Sequence, residues 1–575
     1  MPLRIHRAER ADALVTGLAE VLAAAPADPF TADVVAVPSR GVERWIAQSL
    51  STVLGTQPGR ADGVCANVVF PSPRRLVREA VAAGSGIDAD DDPWAEHRLS
   101  WPLLEVIDSC ASEDWCRTLG RHLGLIDGAV EQGRRMAVAQ KLAGLFTSYG
   151  AQRPTMVRDW LARRDTDGND NPLDADHRWQ AELWRRLRDH IGTESPAERV
   201  DAAAEVLRKD PTLVDLPERL SLFGPTRLTT DQIQVVDALA AQREVHLWLP
   251  YPSFGLWQHV ADATATTTKS PAIPTRRDDS TADVPEHPLV RSLARDAREM
   301  QLRLQAHTHR GDDEHLPSVP ADDTLLTALQ RDIHADDAPP ASHELRDGDT
   351  SVQVHACHGR QRQVEVLREV LLGLLADDPT LEPRDIIVMC PDIEHYAPLV
   401  AATFGLTAAD LEGSYENAHP GHRLSIRLAD RSLRQTNPVL AVAARLLELA
   451  DSRLTASEVL DLAAMPPVRR RFKLDDDALE RVGDWVRRSG VRWGLDAEAR
   501  DTYGLGEIAQ NTWQSGLDRV LVGATIDEEG LRTLDDTLPL DDVDSTEIDL
   551  AGRLAELVDR LAAAVDQLNR EQTME

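Results

Sequence analysis

Arginines at the junctions between predicted strands and helices are the residues best placed for chemistry in this 575-residue chain. Backbone N–H groups at the start of a helix are free and the helix dipole is positive there, so an added guanidinium group favours phosphate binding. Such contacts hold a nucleic-acid backbone without reading its bases. Solvated surface arginines are the competing interpretation. The arginines concerned are Arg74, Arg75, Arg78, Arg153, Arg360, Arg362, Arg431 and Arg434.

The groups that a nucleotide-driven motor needs are missing from the expected positions. A motor requires a glycine-rich loop for phosphate, a lysine for the outer phosphates and a serine or threonine for magnesium. The turn after the apolar strand at residues 33–38 reads PSRGVERW without a lysine, and Gly-Lys occurs nowhere in the chain. Gly224 and Pro225 stand where magnesium-binding carboxylates are expected after a later strand. We therefore predict that the chain does not hydrolyse ATP. An active ATP-dependent helicase is the alternative.

The chain contains no other catalytic pattern and no complete set of metal ligands. No GxSxG, HExxH or kinase-like motif set occurs. His355 and Cys357 share one face of a predicted strand, whereas His358 faces away or lies in the turn, so only two ligands coincide. The five cysteines form no CxxC pair, which favours scattered thiols over a disulfide or zinc framework. We expect no catalytic residue, no metal site, no cofactor for this chain, and no activity of the chain alone.

Composition limits the kind of nucleic-acid contact that is possible. The net charge of −33, from 63 basic and 96 acidic residues, argues against a protein that coats nucleic acid but allows a local basic groove. The chain has no apolar run of about 18 residues and no signal peptide, which predicts a cytoplasmic location without membrane contact. Aromatic side chains could stack on bases, although core packing is favoured for Trp45. The aromatic candidates are Trp45, Tyr149, Trp179, Trp184, Trp493 and Trp513.

The elements that must position these residues begin with an α/β region. Short apolar segments that alternate with helical segments predict an α/β core. Residues 100–215 are nearly all helical and form an insertion, and residues 261–288 and 308–349 are predicted as disordered surface loops. The first domain is expected to cover residues 1–345. Its predicted strands are residues 33–38, 66–70, 220–223 and 245–249.

A second strand–helix–strand–helix unit opens the region from residue 350 to residue 575. Residues 351–357 and 385–390 are predicted as strands that lead into helices, residues 424–428 as a further strand, and the remainder as helical. Two α/β cores with helical insertions occur in superfamily 1 helicases, whose cores are RecA-like. The predicted fold class is therefore α/β, with two inactive helicase-like cores.

Several ordered segments carry a further signal, namely DPFTADVVAVPSRGVERWIAQSL, FTSYGAQRPTMVRDW, HACHGRQRQVEVL, DPTLEPRDIIVMCPDIEHYAPLVAATFG and SGVRWGLD. Together they resemble the gamma-subunit family of exodeoxyribonuclease V, the RecC family. The resemblance implies a helicase-like subunit without ATPase motifs that joins a RecB-like beta subunit and a RecD-like alpha subunit. Those partners would use ATP and magnesium. The complex would process double-strand DNA ends for recombinational repair, while this subunit splits the duplex and guides single strands.

The resemblance also implies DNA-contacting positions. Positions that read the Chi sequence in enteric members fall on Pro38, Arg40 and Arg44, where the usual glutamine and threonine types are absent. Because arginine here favours phosphate contact, we expect that the enteric Chi octamer is not read, or that a different sequence is. The expected DNA-contacting residues are Arg40, Arg44, Arg78, Leu145, Arg153, Arg360, Arg362, Arg431 and Arg434.

Two further expectations follow from the resemblance. Family members usually continue into a nuclease-like C-terminal domain, and we expect this chain to lack that domain. A pure assembly scaffold without DNA contact is a second alternative to the channelling function.

Overall fold

A parallel six-stranded sheet organises the first of two compact units, Met1–His355 and Ala356–Glu575. Its strands are β1 (Leu3–Ala8), β2 (Asp33–Ala36), β3 (Val68–Val69), β4 (Arg219–Phe223), β5 (Glu244–Pro250) and β6 (Arg310–His315). The order across the sheet is β3-β2-β4-β5-β1-β6, with every neighbouring pair parallel. The predicted α/β class is confirmed, and the sheet is parallel throughout.

The computed structural model describes residues 3–24, 26, 28, 30–56, 63–126, 134–265, 275–306, 310–317, 323–340, 342–343, 345–404, 424, 426, 428, 437–526, 533–534, 537–540 and 543–570. Within these residues, no helix combines the length and the apolar character needed to span a bilayer.

The central strands form because their sequences are apolar on both faces. Leu220, Leu222 and Phe223 of β4 are buried, as are Leu247 and Leu249 of β5. A parallel sheet that is covered on both faces selects such continuous apolar runs. The helices of the first unit are α1 (Ala11–Ala23), α2 (Arg40–Ser51), α3 (Pro73–Gly84), α4 (Glu96–Cys110), α5 (Arg117–His122), α6 (Arg134–Gln152), α7 (Pro154–Leu161), α8 (Arg178–Ile191), α9 (Pro196–Lys209), α10 (Thr230–Ala240), α11 (Phe254–Ala265), α12 (Pro288–Leu293), α13 (Arg295–Ala306) and α14 (Leu325–Ala335).

The helical portion from α4 to α8 has a core of its own. Phe146, Trp160 and Trp184 are fully buried there, and Trp94 stacks on Trp184 with ring centroids 5.7 Å apart. The portion therefore packs around these aromatic rings, and not around the sheet strands.

Two strands of the sheet were not predicted. β1 and β6 pair with each other, with Arg7 opposite His315. β6 lies within residues 308–349, where a surface loop was expected, and its sequence RGDDEH is polar. It is the outermost strand of the sheet, and polar residues are common in strands at a sheet edge. A polar edge strand gives no apolar signal in the sequence.

Helices make up the regular structure of the residues described in the second unit. They are α15 (Gly359–Asp377), α16 (Ile393–Phe404), α17 (Pro438–Ala450), α18 (Ala456–Ala464), α19 (Pro466–Phe472), α20 (Asp476–Ser489), α21 (Trp513–Gly523) and α22 (Ile548–Asn569). Trp485 and Trp513 are fully buried in the core that α17 to α22 share.

The strands predicted at residues 351–357 and 385–390 are not formed, so that prediction was wrong for the described residues. A strand is stable only when neighbouring strands satisfy its backbone groups. No strand is described between residues 356 and 575, and the apolar side chains Val354, Ile387 and Met389 are 92%, 85% and 87% exposed. The strand predicted at residues 424–428 falls largely outside the described residues. The two predicted helicase-like cores are therefore not seen in the part of the chain that the structure describes.

Candidate nucleic-acid interface

The N-termini of α2 and α3 lie at one edge of the sheet. The Ser39 hydroxyl caps α2 by accepting a hydrogen bond from the backbone N–H of Val42 at 3.4 Å. The Ser72 hydroxyl caps α3 in the same way, from the N–H of Arg75 at 3.2 Å. Each helix follows its strand directly, and β2 and β3 are parallel neighbours. Both N-termini therefore lie at the carboxyl edge of the sheet, where partial positive charge favours phosphate.

Four exposed arginines surround these N-termini. Arg40 and Arg44 lie in the first two turns of α2, and Arg74 and Arg78 lie in the first two turns of α3. None of the four forms a salt bridge within the part of the chain that the structure describes, whereas Arg75 pairs with Glu79 at 2.6 Å. We call Arg40, Arg44, Arg74 and Arg78 the arginine edge. Its guanidinium groups are available to an anion.

The turns that follow β2 and β4 lie next to each other at the same edge of the sheet. β2 pairs with β4, so the turn that begins at Pro38 lies beside Gly224. Gly224 has a φ of 70°, and its N–H donates to the carbonyl oxygen of Trp248 at 2.9 Å. This pair of turns therefore presents Ser39, Arg40, Gly224 and Pro225, without a lysine or a carboxylate for magnesium.

The residues of the helical portion that were predicted to contact DNA differ in exposure and packing. Arg153 is exposed at the start of α7 and forms no salt bridge with a described residue. Leu145 is half-buried and packs against the aromatic core, so core packing accounts for it. Tyr149 contacts Gln180 through its hydroxyl at 3.0 Å and meets the Trp160 ring edge-on. Its pKa is raised because burial disfavours the phenolate.

Two predicted arginines lie at the start of α15 in the second unit. The Arg360 guanidinium lies 5.8 Å from the centre of the Tyr396 ring, and Arg362 pairs with Glu365 at 3.0 Å. That hydrogen bond to Arg362 lowers the pKa of Glu365. Both arginines are exposed, but Arg362 already has an anionic partner. Arg431 and Arg434 lie outside the described residues.

A cluster of aromatic and basic side chains in the second unit was only partly anticipated. The rings of Trp493 and Tyr503 meet edge-on with centroids 5.4 Å apart. The exposed Arg453 guanidinium lies 4.9 Å from the Tyr503 ring and 5.8 Å from the Trp493 ring. We call Arg453, Trp493 and Tyr503 the aromatic cluster. Such a surface can stack on a base and attract a phosphate.

The buried Arg500 packs against the Trp493 ring of this cluster. Its guanidinium lies 4.4 Å from the centre of the Trp493 ring and donates to the carbonyl oxygens of Trp493, Ile508 and Gln510 at 2.6 to 2.8 Å. Burial lowers the pKa of Arg500. Of this cluster, the sequence indicated only Trp493 as a candidate for base stacking, because Arg453 is distant from Trp493 in the sequence. By contrast, Trp184 and Trp513 are buried in cores, so they are not available to bases.

The fold and these sites define an α/β protein with a parallel sheet, large helical portions and exposed arginines at two helix N-termini beside the sheet. The chain belongs to the RecC family, because the RecC N-terminal domain family matches residues 3–336. A second family, the RecBCD enzyme subunit RecC fourth domain, matches residues 436–575.

Similar proteins carry the same family name. The chain is 49% identical to the RecBCD enzyme subunit RecC of Mycobacterium tuberculosis (strain ATCC 25618 / H37Rv) over 574 residues, 99% of the chain and 50% of that protein. It is 49% identical to the RecC subunit of Mycolicibacterium smegmatis over 580 residues, again 99% of the chain and 50% of the relative. Identity to the Escherichia coli K12 subunit is 29% over 614 residues, 99% of the chain and 51% of the relative. The chain thus spans about half the length of these relatives.

Proposed function

We propose that this chain acts within a RecC subunit of a RecBCD-type complex, where it binds DNA ends and guides single strands without hydrolysing ATP. The observation that carries the proposal is the arginine edge, with four exposed arginines at two serine-capped helix N-termini. Dipole, free N–H groups and guanidinium charge all favour phosphate at one place.

The nucleotide-binding edge of a motor is reused for DNA backbone in this proposal. Gly224 and Pro225 offer no charge for magnesium, and Arg40 supplies a fixed cation at the turn after β2. A helicase needs a lysine and a carboxylate at these positions. Retaining the sheet while replacing those groups suits a subunit that holds DNA and leaves ATP and magnesium to its partners.

The partners that we propose are a RecB-like beta subunit and a RecD-like alpha subunit. The complex would act in the cytoplasm, where it would bind double-strand DNA ends and single-stranded DNA. In this setting the aromatic cluster would hold bases of a single strand. We also propose that residues 350–575 belong to a second helicase-like core. The exposed apolar segments at 351–357 and 385–390 would become strands once neighbouring strands pair with them.

Recognition of a particular DNA sequence is a separate function from the guidance of single strands. Arg40 and Arg44 stand at positions where base-reading side chains would be expected, and arginines at helix N-termini are set for phosphate. We therefore propose that the enteric Chi octamer is not preferred. Competition binding with the reconstituted complex, using strands with and without the octamer, tests this point, and a clear preference for the octamer would contradict it.

Forked DNA and ATP separate the main proposal from its alternatives. The purified chain is expected to bind a forked duplex without nucleotide, with an affinity that falls as salt rises, because phosphate contacts release counterions. It is expected to release no phosphate from ATP in the presence of the same fork. DNA-stimulated hydrolysis would favour a helicase, and absence of salt-dependent binding would favour a pure assembly scaffold.

A further inference from the structure

A cluster of two histidines and one glutamate lies at the carboxyl ends of β1 and β6, the last two strands in the order across the sheet, whereas the arginine edge follows β2 and β3, the first two. Glu9 follows β1 directly, and His315 is the last residue of β6. His334 lies in the last turn of α14. β1 and β6 are parallel neighbours, with Arg7 opposite His315, so their carboxyl ends bring Glu9 and His315 together. We call Glu9, His315 and His334 the His–His–Glu cluster.

The potential ligand atoms of the cluster converge on one point. Glu9 Oε1 lies 3.0 Å from His315 Nε2 and 3.1 Å from His334 Nδ1. All three ligand atoms lie within 4.8 Å of one another. Around a tetrahedral zinc ion with bonds of about 2.0–2.1 Å, ligand atoms stand about 3.3 Å apart. Small side-chain shifts would therefore admit an ion between these atoms.

Packing holds the two imidazole rings in place. The Phe254 ring lies with its centroid 5.7 Å from that of His334, at an interplanar angle of 12°, and 4.8 Å from that of His315. The Ser253 hydroxyl donates to the backbone carbonyl of His334 at 3.1 Å, which ties the end of α14 to the start of α11. Ordered ligands reduce the entropy that metal binding must overcome.

The burial of the cluster suits an open coordination site. The side chains of Glu9, His315 and His334 are 15%, 17% and 24% exposed, so solvent reaches one side of the cluster. Two imidazoles and one carboxylate form a ligand set of open zinc sites, in which water completes the tetrahedron. Magnesium and calcium prefer oxygen ligands, which this set supplies only once.

We propose that the His–His–Glu cluster binds one divalent transition-metal ion of the zinc class. The Glu9 carboxylate, His315 Nε2 and His334 Nδ1 would be its protein ligands, and water would be the fourth. The ion would tie β1, β6 and α14 together, although Glu9 and His315 are 306 positions apart in the sequence. Binding to the folded state alone would then raise the thermal stability of the first unit.

Cobalt titration of the full chain, stripped with a chelator, tests the proposal. We expect one Co²⁺ per chain, with visible bands of a four-coordinate site and no thiolate charge-transfer band, displaced by Zn²⁺. His315→Ala, His334→Ala and Glu9→Gln should each weaken binding by at least about 100-fold, since even outer-shell changes cost about 10–100-fold. Zn²⁺ should raise the melting temperature of the wild type and of none of these variants.

Two control variants exclude other ligands. His259 pairs with Asp336 at 3.0 Å outside the cluster, and Cys110 and Cys116 have sulfur atoms 3.7 Å apart in another core. His259→Ala and Cys110→Ser/Cys116→Ser should bind Co²⁺ as the wild type does. A thiolate band, equal weakening in His259→Ala, or wild-type affinity poorer than about 100 μM would overturn the proposal. Glu9→Gln keeps the test valid if a histidine variant fails to fold.

Discussion

Val34 on β2 lies opposite Leu220 on β4 in parallel register, and this pairing sets the turns that follow the two strands side by side. A Cβ atom built on Gly224 would lie 3.9 Å from Cδ of Pro38. The close approach leaves space for the atom, but the left-handed φ of 70° at Gly224 disfavours any side chain there.

Gly224→Ala is therefore expected to lower the free energy of unfolding of the first unit by about 1 kcal/mol, through backbone strain alone. Urea denaturation followed by circular dichroism measures the change. Gly150→Ala is the matched control, because Gly150 lies within α6 with nothing within 4 Å of an added Cβ. The control should be neutral or slightly stabilising. Equal destabilisation of both variants would contradict the assignment of strain to Gly224.

Two buried histidines predict that stability depends on pH. Nε2 of His6 lies 3.0 Å from Nδ1 of His246, between β1 and β5. Burial lowers the pKa of His246 to about 4, from 6.5. The unfolded chain therefore binds more protons between these values, so stability is full above pH 6.5 and falls as pH drops towards 4. The charged or titratable neighbours of His246 are Glu244, His6, Arg4 and Arg219.

The expected loss is up to about 3 kcal/mol at the acid end of this window. Urea denaturation at pH 7 and pH 5 should show about 2 kcal/mol of this loss, and His246→Gln should reduce the difference between the two. His97→Gln, at an exposed position, should leave the difference unchanged. The same free energy of unfolding at both pH values in the wild type would refute this account.

Arg500 is expected to be essential for the fold beneath the aromatic cluster. Arg500→Met would leave the carbonyl groups of Trp493, Ile508 and Gln510 without their donor and should lower the free energy of unfolding of the second unit by about 2–4 kcal/mol. Arg453→Met serves as control, since Arg453 is exposed over the same rings, and it should change stability by less than about 0.5 kcal/mol. Chemical denaturation compares the two variants.

Trp493 is expected to contribute to single-strand binding by stacking. Trp493→Ala should weaken the affinity for a single-stranded oligonucleotide by about 1–3 kcal/mol, measured by fluorescence anisotropy. Phe30→Ala, which removes an exposed aromatic ring elsewhere, should have no effect. Unchanged affinity in Trp493→Ala, with the fold intact, would remove the aromatic cluster from the DNA path.

The sequence predicts structure here where the signal is local and apolar. β4 and β5 are continuous apolar runs, and α2 and α3 begin with serine caps followed by arginines. The sequence therefore predicts both these strands and the arginine edge. β6 was not, because its polar sequence at the sheet edge resembles an acidic loop. The predicted strands at 351–357 and 385–390 have the right composition, but composition does not reveal whether a neighbouring strand exists.

The remaining sites depend on contacts between distant parts of the chain. Glu9 and His315 meet only because β1 and β6 are neighbours, and neither strand was predicted. Arg453 and Tyr503 reach Trp493 through the packing of loops that carry no periodic signal. Leu145 shows the reverse case. The family resemblance implied that it contacts DNA, but in the structure it packs against the helical core.

The most direct test of DNA guidance by this chain is the salt dependence of binding to a forked duplex. Changing the arginine edge to Arg40→Ala/Arg44→Ala/Arg74→Ala/Arg78→Ala should lower affinity at least about tenfold and reduce the slope of log affinity against log salt by about 2 to 3. The charge-matched control replaces exposed arginines that have carboxylate partners, namely Arg117, Arg487, Arg560 and Arg570. The account predicts a near wild-type slope for the control. The same slope in both variants, or an unchanged slope in the arginine-edge variant, would contradict it.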